Sequence, residues 1–369
     1  MKVVFVAYNN QPGYSSPEVW LGKIKTSAAL MEALATRCEV VCIKNINYEG
    51  VFSQNKVDYI FFKSNYSKSY FPRRINNALK DLKPDIVIVS GIRSPLQIIQ
   101  LREKLGKSAI IIGRHHADAP PTGFRKIVQR WADKCFNAYL FTSMGNAKEW
   151  IDAGIIPRSK KIYELVEAST GLTRRDKMWS LKVTSMTGRP KFIWVGRLNA
   201  LKDPLTILKS FEKFLVIEPS ATLYMIFSEE DLLQEVNRMI KQSPALSKAV
   251  ILKGYVSNNE LSAWYSAADF YISGSHSEGG SYALLEAMAC GCIPIVTAIP
   301  ATLKMTADGR FGIIFQPGNA EDLFNKLSSL SLVDHTALSS SVENYFREEL
   351  STAAIGDKLF AFCTALLAK

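Results

Sequence analysis

Short apolar runs alternate with longer amphipathic stretches along the chain. In the first half, helical patterns such as LQIIQLREKLG separate the strand-like runs KVVFVAY, EVVCIKN, PDIVIVSG, SAIIIGRHH and AYLFTS. A run that is apolar at nearly every position predicts a strand buried on both faces, and such strands are typical of parallel sheets covered by helices. The pattern therefore predicts an α/β fold.

The same alternation of strand-like and helical segments begins again after the middle of the chain. Its strand-like runs are KFIWVGR, TLYMIFS, AVILKGYV and DFYISGS. Between the halves, the stretch TRRDKMWSLKVTSMTGRPK is polar, basic and without a clear period, so we place a domain boundary near residue 184. We expect doubly wound domains at 1–183 and 184–345, and helices at 346–369 that cross back to the first domain. Two such domains would form a cleft, with ligands at the carboxyl ends of the strands.

Composition narrows the class of protein. The 369 residues are 47% hydrophobic and 21% charged, as in globular proteins. No eighteen apolar residues are consecutive, so we expect no membrane-spanning helix. The opening MKVVFVAYNN becomes polar too early for a secretory signal and predicts a buried strand. Six scattered cysteines form neither zinc-type pairs nor a disulfide framework, which favours a reducing cytoplasm.

The net charge of +11 is unevenly distributed. Residues 1–180 hold 28 lysines and arginines against 15 aspartates and glutamates, a net charge of +13, whereas residues 181–369 carry −2. This asymmetry suggests that the first half meets an anionic lipid surface, a phosphorylated acceptor or nucleic acid. The alternative is a solvated basic face without a partner.

The stretch FIWVGRLNALKD places two cations after a buried strand. Gly196 and Arg197 follow the strand directly, and Lys202 comes five residues after Arg197. An arginine can hold two phosphate oxygens in a fork, and a lysine adds a point charge. Alone, the pattern is better described as two solvated loop cations.

The stretch SEGGSYALLEAMACG follows another predicted strand. Gly279 and Gly280 would let the backbone approach a ligand, and Ser281 or Tyr282 should begin a helix. The free amides and the dipole at a helix amino terminus favour a phosphate. The stretch therefore predicts an anion site.

Two glutamates frame this predicted anion site. Glu278 lies in the loop and could accept hydrogen bonds from sugar hydroxyls, and Glu286 lies within the helix. The residues around Glu286 are apolar, and a nearly buried carboxylate needs a partner. Together the residues predict a site for a nucleotide sugar, with a glutamate for each end and glycines for the diphosphate. The alternative is a capped helix with two surface carboxylates.

In these motifs, and along nearly its whole length, the sequence resembles the retaining glycosyltransferases of family four, the group 1 glycosyltransferases. The resemblance is carried by VGRL followed by Lys202, by the glutamates at 278 and 286 within LLEAMACGCIPIVT, and by GYVSNNELSAWYSAADFYISGS. It implies the GT-B fold, in which two Rossmann-like domains face each other across a cleft. In one departure, Ser228, Glu229 and Glu230 replace a glycine turn after TLYMIF.

The resemblance implies roles for residues of the second half. Arg197, next to Gly196, and Lys202 would neutralise the departing diphosphate, and Glu278 would contact the transferred sugar. Further donor contacts are implied for Glu286 with the ribose, for the backbone near Gly254 and Tyr255 with the base, and for the amides of Gly279, Gly280, Ser281 and Tyr282 with sugar and phosphate.

In the first half, the resemblance implicates His115 or His116, within GRHHAD, near the donor sugar. It also places Gly13 near the reaction centre, although the double glycine common in the family is reduced there to one.

The implied reaction is transfer of a sugar from a nucleotide-diphosphate sugar, with retention of configuration, to a glycan, lipid-linked or other acceptor, as in polysaccharide biosynthesis. No cofactor is expected. The chain has no Asp-x-Asp cluster to hold magnesium, so cations and a helix dipole would stabilise the leaving phosphate without a metal.

Other functions remain as alternatives. An epimerase or a glycogen-type phosphorylase can use a similar fold, but no lysine is singled out for pyridoxal phosphate. A basic nucleic-acid-binding protein is disfavoured because helix–turn–helix, RNP and zinc patterns are missing. A dehydrogenase is disfavoured because no G-x-G-x-x-G follows a strand.

Two stretches of the first half mix aromatic and basic residues. GFRKIVQRWADKCF places its apolar residues on one helical face: Phe124, Ile127, Val128, Trp131 and Cys135. We expect this face to pack on the sheet and the cations to point outward; a helix lying on an anionic membrane is the alternative. FFKSNYSKSYFPRR would line the acceptor side or form a loop and an edge strand. These stretches and the charge of the first half favour an anionic or lipid-linked acceptor. We expect a cytoplasmic protein, with peripheral contact to the inner face of the membrane left open.

Overall fold

The structure, a computed structural model, describes residues 1–63, 70–116, 118–166, 169–278 and 280–368. The chain divides into two compact units. Unit 1 comprises Met1–Ser169 and Thr352–Lys369, and unit 2 comprises Thr170–Ser351. Each unit has its own sheet and its own hydrophobic core, so the predicted α/β class is confirmed.

Unit 1 is built on a largely parallel sheet. Its strands are β1 (Lys2–Gln11), β2 (Glu39–Ile46), β3 (Gly50–Gln54), β4 (Val57–Lys63), β5 (Ile86–Ser90), β6 (Ile110–Arg114), β7 (Ala138–Phe141) and β8 (Lys161–Glu164). The order across the sheet is β3-β4-β2-β1-β5-β6-β7-β8, and among these strands only β3 runs antiparallel to its neighbour. In β5, Ile86 to Val89 have no exposed area, as expected for a strand covered on both faces.

The helices of unit 1 connect these strands. They are α1 (Pro17–Lys23), α2 (Lys25–Ala35), α3 (Arg73–Leu82), α4 (Pro95–Leu105), α5 (Gly123–Asp133) and α6 (Met144–Asp152). Helix α1 shows why such segments begin where they do: Ser16 accepts a hydrogen bond from the Val19 amide, and Pro17 occupies the first turn, where no amide proton is needed.

Unit 2 has a parallel sheet of β9 (Lys191–Gly196), β10 (Thr222–Phe227), β11 (Val250–Gly254), β12 (Phe270–Ser273), β13 (Ile293–Thr297) and β14 (Ile313–Phe315). Their order, β11-β10-β9-β12-β13-β14, is that of a doubly wound dinucleotide-binding fold. The core includes Phe192 and Trp194 of β9, Phe211 and Phe270.

Helices cover this second sheet. They are α7 (Lys177–Thr184), α8 (Pro204–Ile217), α9 (Leu233–Gln242), α10 (Pro244–Ala249), α11 (Asn258–Ala267), α12 (Tyr282–Ala289), α13 (Pro300–Met305), α14 (Ala320–Ser328) and α15 (His335–Tyr345). A π-helical turn, Phe346–Leu350, follows α15, and the last helix is α16 (Thr352–Leu367).

The division between the units falls earlier than the boundary we placed near residue 184. Helix α7 belongs to unit 2, where it packs against α11. The Lys177 ammonium lies 2.9 Å from the Asp269 carboxylate, and the Arg175 amide donates to the Ser266 hydroxyl. The basic stretch that suggested a linker is therefore tied to unit 2 by polar contacts, which hydrophobic periodicity does not reveal.

The last helix, α16, belongs to unit 1, where it packs against α2. The helix has an apolar stripe that faces inward, where Ile355, Leu359 and Leu366 are buried. The fit is close at Gly356, because an added Cβ atom would lie 2.7 Å from the Cβ of Ala33. The chain thus returns to unit 1 after completing unit 2.

The orientation of α5 differs from our expectation. We expected Phe124, Ile127 and Trp131 to pack against the sheet, but these side chains are 75%, 49% and 57% exposed. The helix instead buries Ala132 and two polar residues, Gln129 and Asp133. The prediction is wrong for these three side chains because buried hydrogen-bond partners from other elements fix this helix, whereas Cys135 packs against the core of unit 1. Part of the second aromatic and basic stretch, residues 64–69, lies outside the described residues.

One helical stretch, His335–Leu367, is long and apolar enough to span a membrane by length and composition. It joins α15, the π-helical turn and α16, and Ser351 interrupts it with an extended backbone (ψ 156°). A spanning helix needs about 20 consecutive residues, whereas α16 has 16. Because α16 also buries its apolar stripe in unit 1, length and composition do not establish a span.

Candidate active site

Two loops of unit 2 leave neighbouring strands where the strand order reverses. From β9 the chain moves to β10 and β11 on one side and then begins again at β12 on the other side. In doubly wound sheets, ligands bind outside the carboxyl ends of the strands at this reversal. The β9–α8 loop (197–203) and the β12–α12 loop (274–281) lie there, and both carry predicted site residues.

The β9–α8 loop is held by its own backbone and by the segment after β10. The Lys202 amide donates to the Asn199 carbonyl at 3.1 Å, and the Leu198 amide donates to the Glu229 carbonyl at 3.0 Å. The loop ends at Asp203, whose Oδ1 accepts from the Thr206 amide and caps α8. Lys202 is therefore presented from a defined turn next to a helix amino terminus.

Lys202 and Glu278, which the sequence placed in separate loops, form an ion pair between Nζ and Oε1. Their side chains are only 15% and 10% exposed. Charges that are removed from water need a partner of opposite sign, because an unpaired one bears the full desolvation cost. Each member of the pair thus offsets part of the desolvation cost of the other at the reversal point.

Three further residues fasten the two loops together. His276 donates its amide to the Leu201 carbonyl at 2.9 Å, and its Nε2 lies 3.0 Å from Oδ2 of Asp203. Gly274 permits this approach, because an added Cβ atom would lie 2.8 Å from the Asp203 carbonyl oxygen. We did not predict these roles from the sequence. The glycine directly after the strand DFYIS could have indicated that another backbone approaches closely there.

Arg197 points into solvent, with its side chain 48% exposed. Its Nη1 lies 3.8 Å from a carboxylate oxygen of Glu229, which is equally open at 50%. Such an exposed pair contributes about 0 to 1 kcal/mol and is easily exchanged. The guanidinium can therefore turn to another anion at little cost.

Helix α12 begins as expected, with Ser281 as the N-cap and Tyr282 as the first helical residue. Ser281 is buried and makes no side-chain capping bond to the helix, whereas Tyr282 is 43% exposed. Gly280 has no heavy atom within 4 Å of an added Cβ position, so the approach to the first turn is open there. Gly279 lies outside the described residues.

Glu286 has a pKa far from its ordinary value. Burial raises its pKa to about 7, although a hydrogen bond from the Tyr265 hydroxyl to Oε2, 3.1 Å long, favours the carboxylate. Tyr265 is fully buried, and burial next to Glu286 raises the pKa of its hydroxyl well above the ordinary value. Perturbed carboxylates of this kind are enriched in functional sites. Tyr265 was not predicted from the sequence.

The remaining predicted residues of unit 2 lie at the ends of two strands. Gly196 ends β9, and an added Cβ atom would lie 3.2 Å from the Trp194 ring. Gly254 ends β11 with a positive φ of 69°, a conformation that favours glycine. Tyr255 follows it with a side chain 75% exposed. Both strand ends lie at the same edge of the parallel sheet as the two loops.

The other predicted residues, Gly13, His115 and His116, belong to unit 1. His115 is 2% exposed: its ring stacks on Phe141 with centroids 4.5 Å apart, and its Nε2 lies 2.9 Å from the Asp118 carbonyl. His116 is exposed. Gly13 lies in the turn after β1, and no heavy atom lies within 4 Å of an added Cβ position.

Unit 1 has a reversal point of its own, between β1 and β5. A cavity of about 760 Å³ lies beside it, lined by the carboxyl end of β1 at Asn9 and Asn10, by Arg93, and by Phe124 and Trp131 of α5. A cavity with apolar walls and a few polar groups is the usual form of a small-molecule site.

The family comparison agrees with the geometry of unit 2. Residues 178–344 match the family model of the group 1 glycosyl transferases. This segment includes the β9–α8 loop, the β12–α12 loop and Glu286. The resemblance to the group 1 glycosyltransferases seen in the sequence is therefore confirmed over this part of the chain.

Two curated relatives are similar over part of the chain. The sulfoquinovosyl transferase of Arabidopsis thaliana is 26% identical over 48% of this chain and 38% of its own length. The GDP-mannose:cellobiosyl-diphosphopolyprenol alpha-mannosyltransferase of Xanthomonas oryzae is 26% identical over 38% of this chain and 37% of its own. The matched part spans well under half of either relative.

The whole chain resembles a solved structure. HepE of Anabaena, in complex with UDP, has a TM-score of 0.74 at 14% identity, covering 99% of this chain and 100% of that chain. At this identity the similarity shows the fold. The predicted GT-B fold class, with two Rossmann-like units, is confirmed.

Proposed function

We propose that the chain is a retaining glycosyltransferase that transfers a sugar from a nucleotide-diphosphate sugar to a glycan or lipid-linked acceptor without a metal. The observation that carries the proposal is the Lys202–Glu278 ion pair at the strand reversal of unit 2, close in sequence to the amino terminus of α12. It places a cation that can contact a diphosphate next to a carboxylate that can accept hydrogen bonds from sugar hydroxyls.

Charge stabilisation of the leaving diphosphate is the main chemical task. In the proposed complex, the phosphate oxygens contact Lys202, Arg197 and the first amides of α12. Positive groups that are fixed before the reaction stabilise charge as it develops, without reorganisation. Arg197 is open to solvent and weakly paired, so it can turn to the diphosphate.

The ion pair also explains how Glu278 would be used. Without a donor, Lys202 is the ion-pair partner of this shielded carboxylate. When the ammonium meets phosphate oxygens, Glu278 can accept hydrogen bonds from sugar hydroxyls. The donor thus replaces one set of charged contacts with another, and neither group is left unpaired.

Glu286 is proposed to bind the ribose diol, with Tyr265 orienting its carboxylate through their hydrogen bond. Contacts of Gly254 and Tyr255 with the base, and of Gly280, Ser281 and Tyr282 with sugar and phosphate, are proposed on the resemblance, as is the role of Gly13. Of the two histidines, His116 is the better candidate to meet a ligand, because the His115 ring is packed between aromatic side chains.

A lipid-linked or anionic acceptor is proposed for unit 1. Its residues include 27 lysines and arginines against 15 aspartates and glutamates, a net charge of +12. The Xanthomonas oryzae relative is named for a diphosphopolyprenol acceptor, which is both lipid-linked and anionic. All six cysteines are free thiols, which supports a reducing compartment such as the cytoplasm.

The first experiment is a thermal-shift screen with UDP, GDP, ADP and their common sugar conjugates, using wild type, Lys202→Ala, Glu286→Ala and Lys213→Ala. Lys213 is the matched control, because it is an exposed cation of α8 in an ion pair with Glu321. A ligand that binds only the folded state raises the melting temperature. We expect one nucleotide to stabilise wild type and the control but not the other two variants.

Turnover of the stabilising conjugate then tests the reaction. Lys202→Ala should lower kcat by roughly two to three powers of ten, as for loss of one oxyanion donor. Chelation of divalent metals should leave the rate unchanged, and the product anomer, read by NMR, should match that of the donor. Near-full turnover by Lys202→Ala would refute its role, and an inverted product would refute retention.

A further inference from the structure

Helix α5 exposes its apolar residues as a continuous stripe. Phe124, Ile127 and Trp131 are spaced by three and four residues, so they share one side of the helix, and each is about half exposed or more. We call these residues, with the cations Arg125, Arg130 and Lys134, the α5 face. An exposed apolar stripe between cations is unusual on a helix that packs on a sheet, which normally turns that stripe inward.

Buried polar contacts fix this orientation. The Gln129 side chain donates to the Ile92 carbonyl at 2.9 Å. Asp133 accepts from the Tyr139 hydroxyl at 2.8 Å and lies 3.4 Å from the Lys160 ammonium. Rotating the helix to hide Phe124 and Trp131 would leave these buried groups unpaired, at a cost of about 1–3 kcal/mol each. The face is therefore held outward by the rest of unit 1.

The cations of the α5 face are available to an outside partner. Within the described residues, Arg125, Arg130 and Lys134 form no ion pair and no side-chain hydrogen bond. The one acidic residue of the helix, Asp133, is turned inward. Unit 1 as a whole carries the excess positive charge of the chain. The face is thus uniformly basic around an apolar centre.

A cavity of about 470 Å³ adjoins the face on the side of α6. Ile127, Ile151 and Pro157 supply apolar walls, and Arg130, Lys134 and Arg158 supply cations. The carboxylate of Asp133, which is paired with Lys160, also lines the cavity. The cavity thus combines apolar side chains and cations, as the α5 face does. It extends this surface from α5 to α6 and the segment after it.

We propose that the α5 face docks unit 1 on an anionic lipid bilayer. Phe124, Ile127 and Trp131 would enter the headgroup and upper acyl region, where aromatic rings are favoured, and the cations would contact lipid phosphates. Charge complementarity selects this occupant, because each cation near an anionic membrane strengthens binding about fivefold. The inference does not rest on the proposed donor site, since its observations lie in unit 1.

Co-sedimentation of the full chain with vesicles tests the proposal. One set of vesicles is phosphatidylcholine alone, and the other is equal parts phosphatidylcholine and phosphatidylglycerol. We expect binding to the anionic set, weakened by salt. Arg125→Ala with Arg130→Ala should lower the partition coefficient about 25-fold, and Phe124→Ala with Trp131→Ala about tenfold or more.

Matched variants in unit 2 serve as controls. Lys241→Ala with Lys248→Ala removes the same charge from exposed positions, and Val216→Ala with Ile217→Ala removes apolar groups that are 82% and 55% exposed. Both controls should bind like wild type. Equal binding to the two vesicle sets, no binding to either, or equal loss in the controls would overturn the proposal. A dimer in solution that Phe124→Ala with Trp131→Ala dissociates would instead identify the face as a contact between copies.

Discussion

At the residue scale, the Lys202–Glu278 ion pair links the stability of unit 2 to its proposed chemistry. The two side chains come from loops after different strands and meet where little water reaches them. A buried pair often contributes little net stability, but breaking it by removing one partner is costly. The pair therefore makes both residues sensitive to substitution even without a ligand.

A double-mutant cycle measures this sensitivity. Lys202→Met and Glu278→Gln should each lower the free energy of unfolding, by about 3–5 kcal/mol, because each leaves a shielded charge without its partner. The double variant should lose clearly less than the sum of the two. Urea denaturation of the four proteins gives the coupling energy, and simple additivity would show that the two groups do not interact in solution.

Glu286 predicts a pH dependence with a definite sign. Its pKa is raised by burial from the ordinary 4.5 to about 7, so between these values the folded state binds more protons than the unfolded state. Stability from this group is fully present below pH 4.5 and is lost as pH rises toward 7, by about 3 kcal/mol in total.

Glu286→Gln should remove the loss of stability that wild type shows as pH rises. Compared with wild type, the variant should gain stability as pH rises from 5 to 8, because it cannot ionise. Urea denaturation of both proteins across this range is the measurement. A difference between the two proteins that stays constant with pH would mean that the carboxyl group titrates normally in the folded state.

At the element scale, the distance between the β9–α8 and β12–α12 loops depends on Gly274. Gly274→Ala would press a methyl group against the Asp203 carbonyl oxygen, 2.8 Å away. We expect a loss of about 1–3 kcal/mol in the free energy of unfolding, typical of overpacking, and weaker nucleotide binding.

Gly22→Ala is the control for this substitution. Gly22 lies in α1 with no heavy atom within 4 Å of the added methyl position, and alanine is favoured over glycine in a helix. Thermal melts and nucleotide titrations should place the control at or above wild type. A Gly274→Ala protein that matches the control would show that the loops can separate without penalty.

Hydrophobic periodicity predicted the elements around the site well. Buried runs ending at Gly196 and Ser273, and a helix beginning at Tyr282, lie where the sequence placed them. Parallel strands share one carboxyl edge, so the meeting of the two loops could be anticipated. The Lys202–Glu278 pair could not, because it depends on side-chain conformations and on the exclusion of water from the site.

Helix α5 shows the opposite case. Its apolar spacing identified a helix correctly but predicted the wrong buried face. The partners that decide its orientation, the Ile92 carbonyl, Tyr139 and Lys160, come from other elements. Pattern analysis of one segment contains no information about such partners, so a polar buried face is found only in the folded structure.

At the scale of the whole molecule, we expect α16 to contribute to the free energy of unfolding of unit 1. Leu359 has no exposed area and belongs to the stripe that packs toward α2. Leu359→Ala should cost about 2–5 kcal/mol, as for other buried leucines. Hydrogen exchange followed by mass spectrometry should show faster exchange in α2 peptides.

Peptides from α14, within unit 2, are the internal reference for this experiment. They should exchange at the wild-type rate, since Leu359 belongs to the other unit. Equal acceleration in α2 and α14 would mean that the two units unfold together. Thr364→Ala, at an exposed position of α16, controls for the presence of a substitution in this helix.

The return of the chain to unit 1 has a consequence for its synthesis. Residues 1–169 are synthesised first. The helix that covers α2, α16, is synthesised only after all of unit 2. Domains that are contiguous in sequence can fold as they emerge. Here only unit 2 is contiguous in sequence, and the apolar side of α2 in unit 1 stays uncovered until α16 has been synthesised and has folded back onto it.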